Sequence, residues 1–267
     1  NAMNALVTGG NGFLGRYIVE ALLARGDEVS VFGRKPYPEL EALGARCIQG
    51  DICDREILKS ACEACDTVFH TAARVGLWGK REEFEATNIE GTSALLEAAR
   101  EAGVKRFVFT SSPSVVFDRE SLCDANEQLP YPASFQSYYP ETKAAAEKLV
   151  LRANGDGGMA CCALRPHLVW GPRDNHLIPS ILDRARRGAL FIVGDGENVV
   201  DCTYVENAAA AHIQAADSLS LDAPSAGEAY FISQDEPVRF WDFVNGLLER
   251  FSLPKPTRKI PHRAART

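Results

Sequence analysis

Within its first 25 residues the chain passes from a short apolar run, Asn4 to Thr8, through Thr8-Gly9-Gly10-Asn11-Gly12-Phe13-Leu14-Gly15 into a segment with apolar residues at helical spacing, Phe13 to Arg25. Glycines at 9, 12 and 15 therefore stand where a strand meets a helix. At such a junction the backbone must turn tightly, approach a pyrophosphate closely and aim helix N–H groups at negative charge. With 21 glycines in 267 residues this spacing arises by chance about 0.1 times, and its place between strand and helix lowers that further.

The alternation continues. Glu28 to Phe32, Arg46 to Gln49, Thr67 to His70, Arg106 to Thr110 and Cys161 to Arg165 read as strands, with helical patterns over 82–102 and 138–153. Alternating strands and helices predict an α/β chain, a Rossmann-type doubly wound parallel sheet over 4–165. After Pro166 the rhythm breaks, with Gly171-Pro172, Gly188, Gly194-Asp195-Gly196 and Pro224 punctuating shorter elements. A smaller C-terminal substrate lobe, 166–253, interleaved with the last Rossmann elements, is expected there, followed by a mobile tail over 254–267.

Composition excludes several classes. The net charge of −7, from 29 basic and 36 acidic residues, gives no footprint for a polyanion, so nucleic acid is not expected as a partner. No run of about eighteen apolar residues reads as a spanning helix. Asn1-Ala2-Met3 reads as a cloning remnant before an initiator methionine, and no export signal follows. Eight cysteines then point to reduced thiols and a cytoplasmic location. Cys62 and Cys65 form a C-x-x-C pair without a second pair or a His cluster at zinc spacing, so no metal is expected; Cys161-Cys162 reads as core.

Three further groups carry chemistry. At the end of the second strand an acid would receive the ribose 2′-hydroxyl of NAD, whereas cations suit the extra phosphate of NADP. Here Gly33-Arg34-Lys35 stands, favouring NADP(H) over NAD(H), although solvated turn residues are the plainer reading. Asp51-Ile52, after the third strand, is placed for the adenine ring, and Asp51 or Asp54 could equally cap a helix. In Tyr139-Pro140-Glu141-Thr142-Lys143 a phenol and an ammonium four residues apart share a helix face. Lowering a phenol from near pKa 10 by about three units needs roughly 4 kcal/mol of phenolate stabilisation, which a nearby ammonium can supply. Such pairs occur by chance about 0.2 times, so its position one helix after the fifth strand is what strengthens the motif. That strand runs into Thr110-Ser111-Ser112-Pro113-Ser114, whose hydroxyls face the crevice at the carboxyl end of a parallel sheet; turn capping is the plainer reading.

Together these residues resemble the extended short-chain dehydrogenase/reductases, and within them the 3β-hydroxysteroid dehydrogenase-like branch, over about residues 4–251. The resemblance implies that Ser112, Tyr139 and Lys143 are the catalytic Ser, Tyr and Lys, that Asn88 supports the lysine, and that Gly9, Asn11, Gly12, Phe13, Leu14 and Gly15 hold the cofactor. It places Ala72 and Ala73, in His70-Thr71-Ala72-Ala73, along the cofactor, and Pro166 and His167 beside the nicotinamide. Asp201 to Asn207 resembles a late motif that organises the substrate lobe. The runs 110–115, 163–176 and 193–207 are similar to bacterial reductases of 2-alkyl-3-keto acids, which continue beyond Thr267 with a further apolar region. The implied function is ketone–alcohol interconversion on an apolar 2-alkyl-3-oxoalkanoate or 3-hydroxysteroid-like substrate, by a homodimer.

Two rivals stand beside it. A nucleotide-sugar epimerase or dehydratase would use tightly bound NAD, but Pro113-Ser114 replaces the acidic pair that dehydratases carry after the catalytic hydroxyl residue. A non-catalytic dinucleotide sensor would not need Tyr139 and Lys143. Trp78, Ser114, His167 and Trp170 are the candidate substrate contacts, with simple core packing as the plainer reading of the tryptophans. His176 and His212 are expected to be structural.

Overall fold

The computed structural model describes residues 2–76, 78–118 and 121–261. In chain order its elements begin β1 (Asn4–Thr8), α1 (Phe13–Arg25), β2 (Glu28–Gly33), α2 (Pro38–Ala42), β3 (Arg46–Gln49), α3 (Arg55–Cys62) and β4 (Thr67–His70). Next come α4 (Arg81–Phe84), a π-helical turn (Glu85–Glu90), α5 (Gly91–Glu101), β5 (Arg106–Thr110), α6 (Tyr138–Arg152) and β6 (Ala160–Pro166). The remainder is β7 (Val169–Trp170), α7 (Leu177–Arg186), β8 (Ile192–Val193), β9 (Val199–Val200), β10 (Thr203–Tyr204), α8 (Val205–Ser218), β11 (Ala229–Ile232), β12 (Val238–Arg239), α9 (Phe240–Arg250) and β13 (Lys259–Ile260).

Seven strands form one parallel sheet in the order β11-β6-β5-β4-β1-β2-β3. This is the doubly wound arrangement expected from the alternation, with the strand order reversing beside β1. Register explains why the strands read as continuous apolar runs. Leu6, Val68, Phe107 and Cys161 lie side by side across β1, β4, β5 and β6 and pack with Leu58, Leu95 and Val150 of α3, α5 and α6. The neighbouring row, Val7, Phe69, Val108 and Cys162, is equally buried and points to the other face, as period-two alternation requires. Both cysteines of the 161–162 pair are thus core residues.

The chain divides into two compact units. The first contains residues 1–166 and 206–232, the second 167–205 and 233–267. The second unit begins after Pro166, and α8 and β11 belong to the first, where β11 adds the seventh strand beside β6. The second unit has its own core, in which Ile181, Leu182 and Ala185 of α7 pack with Trp241, Val244 and Leu248 of α9.

Two expectations need correction. The segment read as one helix over 82–102 is α4, a π-helical turn and α5, because an extra residue is accommodated around Asn88. The stretch from Pro254, expected to be a mobile tail, contributes β13, which runs parallel to β8; Ile192 N donates to Arg258 O (3.0 Å) and Gly194 N to Ile260 O (2.9 Å). Pairing of so short a strand rests on backbone groups, which leave no periodicity in the sequence; residues 262–267 of that stretch lie outside the described residues. Among the described residues no helix is long and apolar enough to cross a membrane, and all eight cysteines are free thiols.

Candidate active site

Residues 9–12 reverse the chain between β1 and α1. Gly12 N donates to Gly9 O (2.8 Å) and Gly9 N to Phe32 O (3.2 Å), which ties the turn to the end of β2. Gly9 has φ +71°, and a β-carbon there would stand 2.7 Å from Ala72 N. At Gly15 a β-carbon would strike the Gly9 carbonyl and come within 2.8 Å of Thr71 Oγ1. The turn therefore needs bare backbone to seat against Thr71-Ala72 after β4, with Ala73 following half-buried. No side chain caps α1 and its first turn holds no acid, so the helix presents free N–H groups and its positive end. That cradle fits a diphosphate. Asn11 is exposed beside it, and Phe13 and Leu14 open the helix half-buried.

Arg34 and Lys35 are exposed just past β2. Of the two aspartates after β3, Asp54 caps α3 by accepting from Ile57 N (3.3 Å), while Asp51 closes a turn by accepting from Cys53 N (2.9 Å). Ile52 is buried, in contact with Gly91 at the start of α5.

At the carboxyl end of β5, Ser112 Oγ accepts from Ser114 N (3.2 Å) and lies 2.9 Å from Ser114 Oγ. Tyr139, in the first turn of α6, is half-buried; burial raises the pKa of its phenol, and a hydrogen bond with Ser112 opposes that rise. Lys143, 2% exposed, lies one turn further along the same face. Its Nζ donates to Thr110 O (2.5 Å) and lies 3.9 Å from the centroid of the Phe109 ring. Burial lowers its pKa to about 7, against the favourable field of Glu147. The structure thus brings phenol, seryl hydroxyl and ammonium to one strand end. It corrects one expectation: the group that favours the phenolate is Ser112, while the ammonium is held by the Thr110 carbonyl.

Asn88 is buried in the π-helical turn. Its Oδ1 accepts from Arg74 N (2.7 Å), and its Nδ2 donates to Arg74 O (3.0 Å) and Thr142 Oγ1 (2.9 Å). It therefore reaches α6 at the residue before Lys143, and among the described residues it makes no hydrogen bond to Lys143 itself.

Other buried polar residues pair around this site, and their partners lie far apart in the sequence. Thr92 Oγ1 donates to Asn88 O (2.7 Å), so it accepts from His70 Nε2 (2.8 Å), and His70 Nδ1 accepts from Thr8 Oγ1 (2.7 Å). Burial drives the His70 pKa down to about 3, which keeps this link neutral. His212 faces Ala208 O through Nδ1 (2.7 Å), fixing the proton there, and accepts from Thr110 Oγ1 at Nε2 (2.8 Å). Its pKa is lowered to about 4 by burial. Glu147, four residues past Lys143, binds Arg165 through Nε–Oε2 (3.0 Å) and Nη2–Oε1 (2.6 Å) and accepts from the Tyr131 hydroxyl (2.7 Å). Extending the Tyr139–Lys143 interval by one more turn would have exposed Glu147 as the next residue of that face.

The substrate candidates fall in both units. Trp78 is 87% exposed and lines, with Gly79, Phe135, Ser137 and Tyr138, a cavity of about 400 Å³ in the first unit. Pro166 closes β6. In the second unit His167 O accepts from Thr203 N (3.1 Å), and burial lowers the pKa of its imidazole. Trp170 sits edge-on to Tyr204 and Phe243, with ring centroids 5.3 and 5.2 Å from its own, and among the described residues its buried Nε1 lacks a hydrogen-bond partner.

Residues 6–262 match the model of the 3-beta hydroxysteroid dehydrogenase/isomerase family. The chain belongs to that family. As a member of the 3-beta hydroxysteroid dehydrogenase/isomerase family it is an oxidoreductase of the NAD(P)-dependent dehydrogenase/reductase kind. It is 42% identical over 269 residues to the 2-alkyl-3-oxoalkanoate reductase of Shewanella oneidensis, covering 98% of this chain and 70% of that protein. It is 40% identical over 263 residues to the decarboxylating sterol-4-alpha-carboxylate 3-dehydrogenase of Mus musculus, covering 98% and 72%. The UDP-glucose 4-epimerase of Thermus thermophilus, solved in complex with NAD, superimposes with a TM-score of 0.81 at 28% identity, covering 98% of this chain and 87% of that one.

Proposed function

We propose that this family member is an NADP(H)-dependent reductase that interconverts a ketone and a secondary alcohol on an apolar substrate of the 2-alkyl-3-oxoalkanoate or 3-hydroxysteroid kind, working as a homodimer. The observation that carries the reading is the meeting of Ser112, Tyr139 and Lys143 at the carboxyl end of β5, next to β4 and the turn that packs on it. The chemistry supplied by a bound nicotinamide is hydride donation to a carbonyl carbon.

The chain's own residues do the rest. Gly9, Gly12 and Gly15 let backbone and helix end take the diphosphate, and Ala72 and Ala73 border it. Ser112 Oγ donates to the substrate oxygen as that oxygen gains charge. Tyr139, kept protonated by burial, gives its proton to the same oxygen, turning the developing alkoxide into the alcohol. Lys143 turns its Nζ from the Thr110 carbonyl to the ribose hydroxyls on the nicotinamide side. Asn88, through Thr142, holds the start of α6 to the loop after β4 and so fixes where the phenol stands. Arg34 and Lys35 receive the 2′-phosphate, which is the ground for preferring NADP(H).

The test follows NADPH and NADH absorbance with long-chain 2-alkyl-3-keto acids, 3-ketosteroids and UDP-sugars, using the wild-type protein and Tyr139→Phe. The keto acids or ketosteroids should turn over with NADPH, and Tyr139→Phe should lower kcat by about 10²–10⁴-fold with NADPH affinity unchanged. Turnover of UDP-sugars alone, or full activity in Tyr139→Phe, would refute the proposal.

A further inference from the structure

Position 33, at the end of β2, is where a cofactor-binding acid would stand, and the structure shows what takes that space instead. A β-carbon on Gly33 would run into the Tyr37 hydroxyl and lie 2.8 Å from Cζ of the same ring. The Tyr37 side chain thus fills the volume that a side chain at 33 would occupy. The location is tied to the cofactor cradle, because Gly9 N donates to Phe32 O (3.2 Å), and it is braced from β3 by Gly50 N donating to Gly33 O (2.9 Å).

Tyr37 is also held in place. It lies between Pro36 and Pro38, whose rings fix their own φ and keep the residue before each of them out of helical backbone; Tyr37 has φ −127° and ψ 70°. Its carbonyl accepts from Leu40 N (2.9 Å), Glu41 N (3.1 Å) and Cys47 Sγ (3.7 Å). Its ring is half-buried, and among the described residues its hydroxyl has no hydrogen-bond partner. Arg34 and Lys35 precede it by three and two residues and, among the described residues, are in no ion pair; Gln49 Nε2 holds the Arg34 carbonyl (3.0 Å). The acid nearest in sequence, Glu39, is engaged by Arg16 (2.7 Å).

We infer that Tyr37 is a cofactor-selectivity residue: its hydroxyl donates to the 2′-phosphate of the adenosine ribose while its ring keeps the strand end free of a carboxylate. This deepens, and rests on, the NADP(H) reading of the proposed function. A neutral, preplaced donor suits a phosphate, which only accepts, and two exposed cations beside it supply the charge. A carboxylate in the same spot would accept from a ribose diol and repel a phosphate. Gly33 and Tyr37 therefore act as a pair, the missing side chain making room for the phenol.

Binding of two fragments, 2′,5′-ADP and 5′-AMP, measured by titration calorimetry on the full chain, separates the possibilities. Tyr37→Phe keeps the ring and removes only the hydroxyl. It should weaken 2′,5′-ADP about tenfold and leave 5′-AMP within twofold. If 2′,5′-ADP is unaffected by Tyr37→Phe but is lost in Arg34→Ala, the role of Tyr37 is overturned and the NADP(H) reading stands. If both fragments weaken equally, Tyr37 only supports the loop, and the inference fails. If the wild-type protein binds 2′,5′-ADP no more tightly than 5′-AMP, the NADP(H) reading fails and takes this inference with it.

Discussion

Burial sets the protonation of Lys143. The folded chain holds its pKa near 7, well below the ordinary 10.5, so between those values an unfolded chain binds a proton that the folded chain does not. The penalty is fully present below pH 7 and is relieved as the pH rises toward 10.5, with a slope of about 1.4 kcal/mol per unit in mid-window. Stability of the nucleotide-free protein should therefore rise with pH over that window more steeply than in Lys143→Met, where the titrating group is gone. Urea unfolding of both at pH 7.5 and 9 tests this, and equal gains would refute it. Lys143 also shows what was legible in the sequence at this scale. Its spacing from Tyr139, and the run of glycines, are local patterns that any reader of the chain meets. The partners that hold them are not local: Thr110 meets His212 across 102 residues, and Asn88 meets Thr142 across 54. Such pairs exist only once the helices and strands that carry them have been packed together.

At the scale of elements, α6 and β6 are joined by one ion pair. Arg165 and Glu147 are 3% and 0% exposed, and the guanidinium lies 5.3 Å from the centroid of Phe231 on β11, so one contact fastens a helix to two strands. Among the described residues Arg165 Nη1 has no hydrogen-bond partner, which adds desolvation cost and leaves the pair dependent on its bidentate geometry. Removing one partner strands a buried charge, whereas removing both does not. We expect Glu147→Leu and Arg165→Met each to lose about 3–5 kcal/mol, and the double variant to lose at least about 2 kcal/mol less than their sum. Additivity within about 0.5 kcal/mol in a denaturation cycle would refute the coupling. The strands were legible because Leu6, Val68, Phe107 and Cys161 sit in unbroken apolar runs. The π-helical turn was not, because one inserted residue shifts the apolar spacing of a long helix without erasing it. Interleaving of the later lobe with the last Rossmann elements was expected, but not which strand returns: β11 joins the sheet through a pairing with β6 that neither segment announces.

For the molecule as a whole, charge is the remaining lever on ligand choice. The chain carries −7 overall, so at long range it repels an anionic nucleotide, while Arg34 and Lys35 attract the extra phosphate at contact distance. Salt screens both, but not equally between ligands. The long-range repulsion acts on any anion, and a Debye length of about 10 Å at 0.1 M salt already removes most of it. The contact attraction acts on the 2′-phosphate, and exposed cations lose it progressively as salt rises further. Taking the ratio of the dissociation constants of 2′,5′-ADP and 5′-AMP cancels much of the shared repulsion and leaves mainly the local term. That preference for 2′,5′-ADP should shrink severalfold between about 0.05 and 0.5 M salt. In Tyr37→Phe it should start smaller yet fall with the same slope, because a neutral hydroxyl adds a hydrogen bond and no charge, whereas Arg34→Ala should flatten the slope itself. A salt-independent preference in the wild-type protein would mean that Arg34 and Lys35 take no part in choosing the nucleotide.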